Sequence, residues 1–107
     1  MSELVTHGVW RVRPGQEAEF IAAWTEFATW ASAMPGSPAF RLTCDDGDPQ
    51  RYVSFAPWAD AASVRAWKQS PQFRQRIAQI LQHVEDFQPT ELSVVAGVEA
   101  TLGAATH

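Results

Sequence analysis

The residues of this chain best equipped for chemistry are three histidines, one cysteine and a short acidic run. His7, His83 and His107 are scattered, and none has a second ligand at metal-binding spacing, so no metal site is expected. Asp45-Asp46-Gly47-Asp48 looks faintly like the start of a calcium loop, which needs a bidentate glutamate at its twelfth position. Counted from Asp45 or Asp46, that position is Ala56 or Pro57, so the run reads as a turn. Cys44 has no neighbouring histidine or helix N-terminus to stabilise a thiolate, and is expected as a buried structural thiol. There is no catalytic triad, phosphate-binding glycine loop or paired-carboxylate site. What the chain has in excess is flat apolar surface: five tryptophans and six phenylalanines beside one tyrosine. A site built from these residues would be mostly apolar, with few polar groups, and would suit a large aromatic substrate.

The elements that must carry these residues follow from periodicity. Leu4 to Val12 alternates, with Leu4, Thr6, Gly8, Trp10 and Val12 on one face of a strand and Val5, His7, Val9 and Arg11 on the other. After Pro14-Gly15 the period becomes helical from Gln16 to Ala33, with Phe20, Trp24, Phe27 and Ala31 sharing a face, until Pro35-Gly36 stops it. Ala39 to Asp45 and Arg51 to Ala56 read as strands joined by Asp46-Gly47-Asp48-Pro49. Asp60 can cap a helix from Ala61 to Gln69 that carries Trp67, and Ser70-Pro71 starts another. Phe73, Ile77, Ile80, Leu81 and Val84 give that last helix one apolar stripe, and Thr90 to Val98 reads as the final strand. The order predicts an α+β fold: a ferredoxin-like βαββαβ sandwich with a four-stranded antiparallel sheet over residues 1–99, and a flexible tail over 100–107.

The composition, 46% hydrophobic and 19% charged, is that of a globular domain. A net charge of -4 argues against nucleic acid or an anionic membrane as partner. No apolar run is long enough to span a bilayer. Met-Ser-Glu-Leu-Val-Thr-His lacks the basic start and apolar core of a signal peptide, so a cytoplasmic protein is expected. Valines lie on both faces of the first strand, and Leu92, Val94, Val95 and Val98 do the same in the last. Helices can cover only one face of the sheet, so a homodimer packed through the open face is expected, with His7 as an interface group.

Three ordered stretches are similar to the antibiotic biosynthesis monooxygenase (ABM) family. They are Val12-Arg13-Pro14-Gly15-Gln16-Glu17-Ala18-Glu19-Phe20 with Pro35-Gly36, then Arg51-Tyr52-Val53-Ser54-Phe55 with Trp58, then Trp67 with Ser70-Pro71 and Phe73. The resemblance implies a dimeric α/β barrel and a monooxygenase that needs no cofactor and oxidises a hydrophobic, polyketide- or quinol-like aromatic molecule with dioxygen. Trp67 matches the tryptophan that lines the family pocket, and the matching face of strand one is that of Thr6, Gly8 and Trp10. Thr6, Ser54, Tyr52 and Cys44 can hydrogen-bond a substrate, and alternation alone does not say which of them point inward. Both Trp67 and Trp10 suit core packing equally well. A heme-degrading branch of the superfamily uses an asparagine on strand one and a histidine on the last helix. Those positions fall at Gly8 and Ile77, which cannot bond to heme or iron, so heme is disfavoured. The alternative from another class is a non-catalytic ligand-binding or structural dimer of the same fold.

Overall fold

Alternation gives β1 (Leu4–Val12) two faces, and the computed structural model, which describes residues 3–99, puts them to different uses. Trp10 and Val12 are buried beneath the helices, at 2% and 0% exposure. Val5, His7, Val9 and Arg11 point to the other side and stay half-buried.

Gly15, at φ 87°, makes the left-handed turn after Pro14 that a side chain would resist. The helix that follows, α1 (Glu17–Ser32), buries Phe20, Phe27 and Ala31 against the sheet. β2 (Arg41–Asp45) and β3 (Asp48–Trp58) form a hairpin around Asp46-Gly47, where the Asp45 carboxylate accepts the Gly47 N–H at 2.8 Å. Asp60 then caps α2 (Ala61–Gln69) by accepting the Ser63 N–H at 2.8 Å. Ser70, extended at ψ 137°, ends α2 and also caps α3 (Pro71–Leu81), so one residue re-aims the chain between the two helices. The last strand is β4 (Val84–Ser93).

The strands run in the order β2-β3-β1-β4 with every pairing antiparallel, and the helices lie on one face: a ferredoxin-like α+β fold whose second helical unit is divided in two. On the opposite face Phe55 and Leu92 remain 38% and 45% exposed, beside Val5 and Val9. No helix among the described residues is long and apolar enough to cross a membrane.

Several boundaries differ from those the sequence predicts. β2 begins at Arg41 rather than Ala39, and β3 runs from Asp48 to Trp58, longer at both ends than Arg51 to Ala56. The final strand starts at Val84 and ends at Ser93, not Thr90 to Val98. Val84 sits one helical turn beyond Ile80 in the sequence, yet its backbone pairs with Val12 once the chain has turned at Gln82-His83. The Arg13 N–H donates to His83 O at 3.0 Å and pins that turn. Pro89 fits within β4 because β4 is an edge strand, where a missing N–H costs no ladder bond. Val95 and Val98, expected in the strand, lie beyond it at 94% and 99% exposure. Cys44, expected in the core, is exposed, since β2 is the other edge of the sheet. The tail expected over 100–107 lies outside the described residues.

Candidate functional site

The Asp60 cap fixes the start of α2, and helical spacing then turns both Val64 and Trp67 toward the sheet, at 2% and 6% exposure. The Trp67 ring packs among Trp58 at 5.0 Å, Phe73 at 4.9 Å, and Phe27 and Phe40 at 5.7 Å. Two other indoles on this side of the sheet have hydrogen-bond acceptors. Trp10 Nε1 donates to Ser54 Oγ at 2.9 Å, and Trp58 Nε1 donates to Thr6 Oγ1 at 3.0 Å. Trp67 Nε1 is buried and has no partner among the described residues. An orphaned donor of this kind costs about 1–3 kcal/mol, which an arriving acceptor can recover.

Next to it the sheet is hollowed by a missing side chain. A Cβ at Gly8 would sit 2.8 Å from Phe87 Cε1 and 3.1 Å from Ser54 Oγ. Phe87 uses that space to stack on Trp10, with ring centroids 3.8 Å apart. The result is a cavity of about 180 Å³ between helices and sheet, open to solvent on one side. Thr6, Gly8, Trp10, Ser54 and Trp67 all line it, with Trp24, Phe27, Phe40, Phe73, Ile77 and Phe87 completing an aromatic wall. Apolar cavities of about 150 Å³ already stay dry and take up benzene-sized molecules. The polar groups are few. His7 borders the cavity although its side chain turns to the open face, with Nδ1 3.2 Å from Thr90 Oγ1, and Lys68 reaches the cavity from α2.

Five of the seven residues singled out in the sequence therefore share one cavity, and two do not. Tyr52 is buried against Phe20, with ring centroids 5.0 Å apart, and burial pushes its phenol pKa up. With Cys44 it borders a separate groove between α1 and β2, together with Ile21 and Thr25. Tyr52 and Cys44 are directly paired in the β2–β3 ladder, six residues along β3 from Trp58, the residue of that strand that packs on Trp67. The largest omissions of the sequence reading are Phe40 and Phe87. Phe40 lies in an irregular stretch just before β2, where no period marks it. Phe87 lies three residues from Val84, so alternation would place it on the opposite face, and only the irregularity in the β1–β4 ladder between Arg11 and Val12 turns it to the Trp10 side.

Among the described residues there is no group of three or more histidine, cysteine or acidic side chains able to hold a metal. The heme-branch positions, Gly8 and Ile77, do line the cavity. Neither offers a ligand, and at Gly8 even a methyl group would meet the Phe87 ring. The residues present do not fit heme.

The chain is thus a two-layer α+β domain with an aromatic cavity between helices and sheet that holds one orphaned indole N–H. The chain belongs to the antibiotic biosynthesis monooxygenase family, whose model matches residues 4–79. No curated protein sequence matches it. Solved structures do, through the fold. SnoaB, a cofactor-independent oxygenase from Streptomyces nogalater, superposes with a TM-score of 0.84 at 17% identity, over 94% of this chain and 100% of that one. A Chloroflexus aurantiacus protein assigned to antibiotic biosynthesis monooxygenase is 26% identical, with a TM-score of 0.73 over 92% of this chain and 98% of its own.

Proposed function

We propose that this protein is a cofactor-independent monooxygenase that oxidises a hydrophobic aromatic molecule, of polyketide or quinol type, with dioxygen in the cavity at Trp67. The observation that carries the reading is the unpartnered Trp67 N–H in an otherwise aromatic cavity. The family supports the reaction class, and the cofactor independence of SnoaB supports the absence of a bound group.

In this chemistry the substrate supplies the electrons. For an anthrone-type ring the balance is a methylene plus dioxygen giving a carbonyl plus water. The substrate loses a proton, and the resulting enolate passes its electron pair to dioxygen, forming a carbon–oxygen bond and a peroxide on that carbon, which takes up the proton as a hydroperoxide. Loss of the second methylene proton breaks the oxygen–oxygen bond, leaves a quinone-type carbonyl, and the departing hydroxide takes up a proton as water. No external reductant enters.

The protein's share is placement and environment. Trp67 donates to the substrate oxygen and favours its anionic form, as a hydrogen bond to a charged acceptor does. Trp10 and Phe87 provide a flat wall for the ring, and the hydroxyls of Thr6 and Ser54 are the remaining polar contacts on the sheet side. The aromatic lining keeps water from the enolate. Among the described residues no carboxylate lines the cavity, so the acidity of the substrate's own vinylogous phenol or enol sets the first step.

Two copies pack through the open sheet face, where Val5, Val9, Phe55 and Leu92 lack cover within one chain. The test of the activity is dioxygen uptake with anthrone, using protein freed of metal by chelation and checked for flavin by its absorption spectrum. Equal uptake of dioxygen and formation of anthraquinone supports the reading. Saturable anthrone binding without uptake would make the protein a ligand-binding module instead.

A further inference from the structure

The aromatic walls say that the ligand is flat and apolar, but one cation at the rim says more. Lys68 follows Trp67 on α2 and lines the same cavity. Its Nζ donates to Glu91 Oε2 on β4 at 2.6 Å. Glu91 lies opposite Thr6 in the β1–β4 ladder, so this ion pair ties helix to sheet at the rim of the cavity. Lys68 lines the cavity and Glu91 does not. Both side chains are partly exposed, at 32% and 47%, and ion pairs of that kind are held weakly. An ammonium has three donors, and one bond to Glu91 leaves two for another oxygen.

The surroundings are biased in the same direction. Between 61 and 84 the chain carries Arg65, Lys68, Arg74 and Arg76 and no aspartate or glutamate, although its net charge is -4. α2 and α3 are therefore the positive part of an acidic protein, while α1, which also lines the cavity, carries Glu17, Glu19 and Glu26 and no lysine or arginine.

Resting on the reading of this cavity as the ligand site, we propose that Lys68 anchors an acidic group on the ligand, which is thus an aromatic acid rather than a neutral ring system. Trp67 meets an oxygen on the ring system inside, and Lys68 holds a carboxylate at the rim. Glu91 keeps the ammonium at the rim when no ligand is bound. Two donors at separate points fix both position and orientation, which a smooth aromatic slot alone would leave free.

The experiment compares anthracene-2-carboxylate with its neutral analogue anthracene-2-carboxamide, titrated into the protein and followed by quenching of tryptophan emission. In the wild type the carboxylate binds more tightly. Lys68→Met weakens the carboxylate by about tenfold, the scale of one charge-assisted hydrogen bond. It leaves the carboxamide within about twofold, while Lys68→Arg keeps the preference and Glu91→Gln strengthens it. Circular dichroism melting of each variant separates lost binding from lost folding. If Lys68→Met weakens both probes alike, or neither, the anchor is overturned while the cavity reading stands. If neither probe binds the wild type, the cavity reading falls and the anchor with it.

Discussion

Phe87 lies flat against Trp10, with ring centroids 3.8 Å apart and planes 13° from parallel, in space that a side chain at Gly8 would occupy. Three residues on two neighbouring strands thus make one wall of the cavity, and the smallest of them sets its depth. Trp10 is held by its hydrogen bond to Ser54, so the stacked pair cannot slide without breaking that bond.

Gly8→Ala should therefore be destabilising, even though alanine ordinarily suits a strand better than glycine does. Its methyl group would sit 2.8 Å from the Phe87 ring. The expected loss is about 1–3 kcal/mol, typical of overpacking a well-filled site. Urea unfolding measures it, and adding Phe87→Leu should recover part of the loss. An unchanged midpoint for Gly8→Ala alone would mean that the ring moves aside freely.

Trp67 should separate packing from chemistry. Trp67→Ala removes a ring that touches four aromatic neighbours and should cost about 3–5 kcal/mol. Trp67→Phe keeps most of that contact and removes a donor with no partner to lose, so stability should change by less than about 1 kcal/mol. Turnover of anthrone should nonetheless fall by about tenfold or more, the value of one hydrogen bond to a charged oxygen. Parallel losses of stability and turnover in both variants would mark Trp67 as core alone.

Acid should weaken the fold partly through Asp48. A hydrogen bond from Arg11, with Nη2 to Oδ2 at 2.8 Å, holds this carboxyl below its ordinary value of 3.8. A depressed carboxyl pKa contributes stability that is fully present above the unfolded value and is lost as pH falls through the folded one. The window is therefore below about pH 4. Both side chains are more than a third exposed, so the effect is small and screened by salt. Melting temperatures of wild type and Asp48→Asn should run parallel above that window and converge below it. A constant gap down to the lowest pH would exclude the carboxyl as the source.

The open sheet face gives a further expectation. Sedimentation velocity at micromolar concentration should show a dimer, and Phe55→Asp or Val9→Lys should shift it toward monomer, since a charge would be buried at the centre of the contact. A wild-type monomer at that concentration would remove the dimer from the account.

The fold was legible where local chemistry decides it. Pro14-Gly15 and Pro35-Gly36 bracket α1, Asp60 and Ser70 cap the next two helices, and alternation sorted Thr6, Gly8 and Trp10 onto one face. It was not legible where tertiary contact decides. Val84 continues the apolar stripe of α3, so nothing local says that it pairs with Val12, and the polar run of Glu85, Asp86 and Gln88 hides an edge strand. Phe87 was hidden further by the ladder irregularity after Val84, which turns it to the face that plain alternation would deny it. Cys44 was placed in the core because free cysteines usually are, but burial depends on which strand forms the sheet edge, and strand order is not written in the local pattern. Lys68 reads in sequence as an ordinary exposed helix residue. Only its position at the rim, beside Trp67, gives it a cavity to face.

The central claim is that dioxygen is reduced by an aromatic substrate held against Trp67, with no bound metal, flavin or heme. An oxygen electrode tests it most directly, with chelator-treated wild type and Trp67→Phe supplied with anthrone in the same buffer. The account predicts one dioxygen consumed per anthraquinone formed by the wild type, above the rate without protein, and a rate near that background for Trp67→Phe. Uptake equal in the two proteins, or none above background in either, would contradict it.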